Sequence, residues 1–212
     1  MKVGILGTGN LSVALGMAWA RAGHSLLITG RSEANAKSAT ASIGAGAEQV
    51  AARDFAKRAD VIVTAMPWSG LEPALTLVGA AEGSLSGKTV IDCTNPIDFT
   101  TGRMLFETGS AAELVATIAT GAHVVKALHL YAGTGWPFTG DRSLAPIVAV
   151  CGDDATALEQ TTLLIGDLGA RVAVLGRLDA SRQAEEAAGF VMRLVAAGVN
   201  PRFAVPDVEP SR

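Results

Sequence analysis

Two glycines near the start of the chain, Gly7 and Gly9, separate a short apolar run from a pattern with helical spacing. A glycine at the first position lets the backbone turn sharply, and a glycine at the second removes a side chain where a phosphate group would approach. The helix that follows offers free N–H groups and its positive dipole end to an anion. This pattern predicts a loop that binds the pyrophosphate of a dinucleotide, and the alternative is a tight turn that binds nothing.

The end of the second predicted strand indicates which dinucleotide is bound. Gly30, Arg31 and Ser32 stand there, and the first carboxylate is that of Glu33. An NAD site usually has Asp or Glu at this point, whereas a guanidinium and a hydroxyl suit the 2′-phosphate of NADP. We therefore expect the chain to bind NADP. The alternative is that Arg31 is an ordinary charge on the surface.

Further polar and aromatic residues follow the later strands, at the edge where ligands of such sheets bind. Pro67 and Trp68 follow the fourth strand, where Trp68 offers either a flat surface beside a ligand or ordinary core packing. Asn95 follows the fifth strand and either bonds a cofactor or only starts a turn. His129 leads into a loop rich in glycine and aromatic residues, so it either meets a flat ring or satisfies a core carbonyl.

Other catalytic arrangements are not indicated by the sequence. The three histidines lack metal-ligand spacing, so no metal site is predicted, and the carboxylates of Asp153 and Asp154 are expected to cap a helix. Hydride transfer fits such a chain, because it needs two rings to be positioned more than it needs side-chain chemistry.

Composition narrows the choice of partners and compartment. The 212 residues are 49% hydrophobic, the net charge is −3, and no basic block stands out, so nucleic acid is not an expected partner. Apolar runs are too short for a membrane span. Cys93 and Cys151 form no disulfide framework, which fits a reducing cytoplasm.

Predicted strands alternate with predicted helices along most of the chain. This alternation is typical of an α/β fold, here a Rossmann-type doubly wound, mainly parallel sheet with a small C-terminal helical extension. One NADP-binding domain is expected over residues 1–212, with residues 152–200 as the extension and 201–212 as a tail. The predicted strands are Val3–Leu6, Ser25–Thr29, Ala47–Val50, Asp60–Ala65, Thr89–Asp92, His123–Ala127, Pro146–Cys151 and Val172–Val174. Between the fourth and fifth of these strands a helix is expected from about Leu71 to Ala81.

Several stretches, in this order and spacing, resemble one family over nearly the full length: "ILGTGNL", "GRS", "MPW", "GSAAELVATI", "VVKALHLYAG", "VAVCGDD" and "LGRLDASRQAEEAAGFVMRL". The chain is similar to NADPH-dependent reductases of the deazaflavin coenzyme F420, also called F420-dependent NADP oxidoreductases. Their wider group includes the cytoplasmic domains of membrane ferric reductases. The resemblance implies hydride transfer between NADP(H) and coenzyme F420, small-molecule cofactors as partners, and a homodimer built partly from the C-terminal helices.

The resemblance also implies roles for individual residues. Thr8, Gly9, Asn10 and Leu11 would line the phosphates, and Arg31 with its neighbours would take the 2′-phosphate. Met66, Pro67 and Trp68 would border the nicotinamide. The segment from His129 to Gly133, which includes Ala132, would face the deazaflavin, and a catalytic role would fall to His129.

The sequence departs from the family at the 2′-phosphate end of the expected site. Gly30 stands where relatives often have serine, and Asn35 stands where they have lysine, with Lys37 nearby. Two alternatives therefore stay open: an NADPH-dependent reductase of another acceptor (a flavin, a ferric chelate or an imine), or a module that binds NADP without catalysis.

Overall fold

The computed structural model describes residues 1–130 and 136–205, and in that part of the chain eight strands form one sheet. The strands are β1 Lys2–Leu6, β2 Ser25–Thr29, β3 Ala47–Gln49, β4 Val61–Thr64, β5 Thr89–Asp92, β6 His123–Lys126, β7 Ile147–Gly152 and β8 Arg171–Gly176. The α-helices are α1 Asn10–Arg21, α2 Glu33–Ile43, α3 Ala52–Arg58, α4 Leu71–Leu77, α5 Ala111–Ile118, α6 Ala155–Asp167 and α7 Ser181–Ala196.

The strand order in the sheet is β3-β2-β1-β4-β5-β6-β7-β8, and every neighbouring pair is parallel except the antiparallel pair β6–β7. The predicted fold class, a Rossmann-type, mainly parallel sheet, is confirmed. The chain first moves outward from β1 to β3 and then returns past β1 to form β4. A crevice opens between the carboxyl ends of β1 and β4 because the connections diverge at that point.

The sheet separates two apolar clusters. One lies against α1, α2 and α6, where the buried Trp19 donates a hydrogen bond of 2.8 Å from Nε1 to the Leu164 carbonyl. The other includes Phe55 of α3, Leu75 of α4 and Val115 of α5. Both faces of the central strands are covered, which explains why β4 is an uninterrupted run of buried, mostly β-branched residues.

A few boundaries differ from those predicted. The helix expected to run from Leu71 to Ala81 ends at Leu77, because Gly79 adopts a positive φ of 72° that ends the helix. Strand β8 is longer than the predicted Val172–Val174, and most of its residues are exposed. Asp154 caps α6 as expected, accepting a hydrogen bond of 2.8 Å from the Ala157 amide. Within the described residues no helix is long and apolar enough to cross a membrane.

Candidate active site

The turn between β1 and α1 is clamped to the end of β4. Gly7 has a φ of +138°, and a Cβ on it would collide with the Ala65 carbonyl oxygen. The same oxygen accepts a hydrogen bond of 2.9 Å from the buried Ser12 hydroxyl. Ser12 occupies the place of the third glycine of the common pattern, so here that position supplies a hydrogen bond to β4 as well as close packing.

Gly9 stands at the N-cap of α1 for a different reason. Its backbone has φ −84° and ψ −176°, which any residue can adopt, and a Cβ on it would meet nothing within 4 Å. The fold itself therefore does not require glycine at this position. No described side chain caps α1, and its first turn has no acidic residue, so its amides face an open cradle suited to an anion.

A cavity of about 420 Å³ extends from this cradle along the end of β2, and we call it the Arg31 cavity. The Arg31 guanidinium reaches across to Gly70, since a Cβ on that glycine would lie 3.7 Å from Nη2 of Arg31. Ser32 caps α2, its hydroxyl accepting a hydrogen bond of 3.2 Å from the Asn35 amide. The cavity is lined by Leu6, Gly7, Thr8, Gly9, Gly30, Arg31, Ser32, Asn35, Ala65, Met66, Pro67, Gly70 and Ala74.

A second cavity of about 400 Å³ lies on the other side of Pro67, and we call it the His129 cavity. It shares Gly9, Ala65, Met66 and Pro67 with the Arg31 cavity, so the two cavities adjoin at the end of β4. Its walls are mainly apolar. They comprise Gly9, Asn10, Leu11, Ala65, Met66, Pro67, Trp68, Cys93, Asn95, Ile97, Phe99, Leu128, His129, Leu130, Ala188, Val191 and Met192.

Asn95 and His129, which both line the His129 cavity, each have one unpaired polar atom. The Asn95 amide donates a hydrogen bond of 2.7 Å from Nδ2 to the His129 carbonyl, which fixes the orientation of the amide group. Asn95 Oδ1 and His129 Nδ1 are buried and have no hydrogen-bond partner among the described residues. Buried polar atoms are rarely left unpaired, so this pair is suited to a ligand that brings its own hydrogen-bonding groups.

The imidazole of His129 is held in its neutral form. Burial lowers its pKa from the ordinary value of 6.5 to about 4, and repulsion by the Lys126 ammonium adds to this effect, while Asp92 opposes it. A neutral imidazole has one N–H and one lone pair, so it can donate or accept a hydrogen bond. It is a poor source of protons near pH ~7.

An aromatic pair and a short loop form the rim of the His129 cavity. Trp68 meets Phe106 edge to face, with ring centroids 4.7 Å apart and an angle of 88° between the planes. Ile97 and Met104 form an antiparallel bridge, and Phe99 between them is 57% exposed although it lines the cavity. Trp68 is thus a half-buried wall of the cavity, held by Phe106 on one side and packed against the second apolar cluster.

The predicted site residues fall into two groups in the structure. Those expected around the phosphates and the 2′-phosphate line the Arg31 cavity, apart from Asn10 and Leu11, which line the His129 cavity with Asn95 and His129. Met66 and Pro67 border both cavities. Ala132 lies in residues 131–135, outside the described part of the chain.

Sequence reasoning missed three charged residues beside the His129 cavity: Asp92, Lys126 and Glu185. All three are fully buried, and Lys126 Nζ lies 2.8 Å from a carboxylate oxygen of each of the other two. The available signal is a charged residue that closes each of two strands, β5 and β6, directly after two β-branched apolar residues.

One comparison with known proteins covers the part of the chain that lines the Arg31 cavity. Residues 2–96, which contain both sides of the Arg31 cavity, match the family model of NADP oxidoreductases that depend on coenzyme F420. This match confirms the resemblance seen in the sequence, and with it the prediction of an NADP-dependent oxidoreductase.

Solved structures extend the similarity beyond residue 96. A provisionally assigned F420-dependent NADP reductase from Arthrobacter sp. FB24 is 27% identical with a TM-score of 0.78, over 94% of this chain and 96% of its own. A hypothetical protein from Sinorhizobium meliloti is 26% identical with a TM-score of 0.73, over 85% and 88%. A reductive aminase from Aspergillus terreus in complex with NADPH shares the fold at 18% identity and a TM-score of 0.69, and this chain spans 63% of its length.

Proposed function

From the family match of residues 2–96 and the two adjoining cavities beside Pro67, we propose that this chain transfers a hydride between NADP(H) and the deazaflavin coenzyme F420. The observation that carries the proposal is the division of one crevice into a polar half and an apolar half. The polar half fits a phosphorylated dinucleotide. The apolar half fits two flat rings placed against each other.

The dinucleotide half is supported by chemistry that the fold alone does not require. Gly9 keeps the cradle above α1 free of a side chain, and the N-terminal amides of α1 face that cradle. Arg31 would bind the 2′-phosphate through its planar group of donors, with Ser32 beside it. The nicotinamide end would then pass Pro67 into the His129 cavity.

The acceptor half supplies position rather than side-chain chemistry. NADPH provides a hydride from C4 and the deazaflavin receives it at C5, with one proton taken up by the reduced ring. Leu11, Trp68 and Met192 provide apolar surfaces that exclude water from the two rings. Asn95 Oδ1 would accept a hydrogen bond from a ring or carboxamide N–H, and His129 would remain neutral throughout.

The test is to mix the purified protein with NADPH and oxidised coenzyme F420 and to follow the deazaflavin absorbance. We expect its loss with NADPH at a rate that depends on protein concentration, and a slower loss with NADH. No loss with active cofactor stocks would reject coenzyme F420 as the acceptor.

A second candidate is the NADPH-dependent reduction of a compact, neutral acceptor such as an imine. The observation that favours it is that no Lys or Arg stands among the described residues lining the His129 cavity. A large anionic acceptor would be expected to meet such a charge. Replacing coenzyme F420 by a cyclic imine, a flavin or a ferric chelate in the same assay separates the candidates.

A homodimer remains our proposal for the assembly. The second half of α7 and the segment after it leave large apolar side chains exposed, and Phe190 and Phe203 are 52% and 81% exposed. Such an apolar surface is typical of an interface. Light scattering during size-exclusion chromatography should give twice the chain mass, and a monomer at micromolar concentration would contradict the proposal.

A further inference from the structure

The ammonium group of Lys126 is fully buried and has three acceptors. Its Nζ lies 2.8 Å from Asp92 Oδ2 and 2.8 Å from Glu185 Oε1, and it also bonds the Thr94 carbonyl. An ammonium group has three protons, so each has an acceptor. Lys126 therefore joins the ends of β5 and β6 to α7.

The two carboxylates have further donors of their own. Asp92 Oδ1 accepts hydrogen bonds of 2.8 Å from the hydroxyls of Thr64 and Thr94. Both oxygens of Glu185 lie 3.0 Å from the amide of Ala111, the first residue of α5. The three charged residues, which we call the buried triad, are thus fully hydrogen-bonded, and such networks favour a single arrangement.

A second contact holds α7 one turn further along. A Cβ on Gly189 would collide with the carbonyl oxygen of Gly102, and a Cβ on Gly102 would lie 2.5 Å from the Gly189 carbonyl oxygen. The backbone of α7 therefore packs directly against the loop that carries Phe99 at the cavity rim. Between and beyond these contacts, Ala188, Val191 and Met192 line the His129 cavity.

We infer that the buried triad positions α7 as a wall of the acceptor half of the site, and that Glu185 is thereby a positioning residue that sets the affinity for the hydride acceptor. The kinetic part of this inference rests on the proposed function. Glu185 does not line the cavity, and it acts through the residues one and two turns later on the same helix. The Arg31 cavity has no residue of α7 in its lining, so binding of the dinucleotide's phosphate end does not depend on the triad.

The choice of charged residues is consistent with positioning rather than with added stability. A buried ion pair commonly contributes little to the free energy of folding compared with apolar residues of the same shape, because the charges lose their hydration. Removal of Lys126 would leave two carboxylates unpaired in the core. Removal of the Glu185 carboxylate instead leaves one positive and one negative charge, those of Lys126 and Asp92, paired in the core. Glu185 is therefore the residue to vary.

The experiment compares Glu185→Ala and Glu185→Gln with the wild-type chain and with Glu186→Ala. Glu186 is the neighbour of Glu185 on α7, is exposed, and pairs with Arg182 at 2.8 Å, so it controls for loss of a carboxylate from the same helix. Hydrogen exchange of the protein without ligands is measured for peptides that cover α7, the β1–α1 turn and the loop of residues 97–104, which we call the rim loop. Steady-state kinetics and NADPH titrations are run on the same samples.

For Glu185→Ala we expect faster exchange in α7 and in the rim loop, and unchanged exchange in the β1–α1 turn. The acceptor KM should rise by about tenfold, while the Kd for NADPH should rise less because most contacts of NADPH would lie in the Arg31 cavity, and Glu185→Gln should recover part of the KM. If Glu185→Ala does not fold, the same comparison is made with Glu185→Gln. Unchanged exchange in α7, or equal losses of NADPH and acceptor affinity, would overturn the inference.

The exchange measurement needs no acceptor, so it separates this inference from the proposed function. A wild-type chain that reduces no acceptor would reject the proposed function, while faster exchange confined to α7 and the rim loop would still support the role of the triad.

Discussion

The side-chain amide of Asn95 donates a hydrogen bond of 2.7 Å to the backbone carbonyl of His129. This bond joins the loop after β5 to the loop after β6 at the edge of the His129 cavity. The amide N–H₂ group faces the carbonyl, and Oδ1 of the same amide is buried without a hydrogen-bond partner among the described residues. The orientation of the Asn95 amide is therefore fixed within the fold itself.

The Asn95 bond gives a first prediction. Asn95→Ala removes both the link to His129 and the acceptor offered to the ligand, and we expect kcat/KM to fall by about ten- to a hundredfold, as for loss of one or two buried hydrogen bonds. Steady-state kinetics measures the effect. Asn200→Ala, in the terminal segment, serves as the control and should leave kcat/KM unchanged.

Gly9 gives a second prediction, because its Cβ position is open in the fold itself. Gly9→Ala should leave the midpoint of thermal unfolding close to that of the wild type, while the methyl group weakens NADPH binding by about tenfold or more. Gly166→Ala in α6 is a matched control, since a Cβ there also meets nothing within 4 Å. Equal NADPH affinity in both variants would show that no phosphate approaches Gly9.

Arg31 gives a prediction about dinucleotide choice. Arg31→Ala should weaken the binding of NADPH by about tenfold or more and the binding of NADH much less. The reason is that only NADPH carries the 2′-phosphate that the guanidinium would bind. Titrations with both nucleotides measure the ratio. The exposed Arg53→Ala is the control, and equal losses for NADPH and NADH in Arg31→Ala would assign the guanidinium another role.

His129 gives a prediction about pH. Its pKa falls from 6.5 to about 4 on folding because burial, and to a lesser degree Lys126, disfavour the charged form. Between these values the unfolded chain binds a proton that the folded chain does not. This contribution therefore makes the free energy of unfolding rise with pH through that window and fall as the solution is acidified.

The comparison is between the wild type and His129→Gln, which has no ionisable group at that position. The difference between their free energies of unfolding, measured in urea at several pH values, should change across the window from 6.5 to about 4 and stay constant above it. A difference that does not vary with pH would contradict burial of a neutral imidazole.

Most of the fold follows from patterns visible in the sequence. Short β-branched runs such as Val61–Thr64 are typical of buried strands, and the glycine pattern after β1 indicates the end of the sheet where a ligand binds. The predicted end of α4 is wrong because alanines continue the helical pattern past Leu77, while Gly79 ends the helix through its backbone conformation. The local sequence alone does not show whether the helix ends at Leu77 or continues through the alanines.

The acceptor side of the site was less predictable, because it depends on contacts between distant parts of the chain. In the sequence, Ser12 is only a small residue in the place of a glycine. In the fold its hydroxyl donates a hydrogen bond to the carbonyl of Ala65, 53 positions away. Lys126 and Glu185 look like surface charges until the sheet and α7 bring them together. The pairing of Gly102 with Gly189 likewise has no signal in either segment alone.

Calorimetric titration of the wild-type chain with NADPH and with NADH tests the central claim, that the β1–α1 turn and Arg31 bind a phosphorylated dinucleotide. We predict saturable heat with NADPH at micromolar concentrations and weaker binding of NADH. No heat of binding with NADPH or NADP⁺ at millimolar concentration would contradict the whole account.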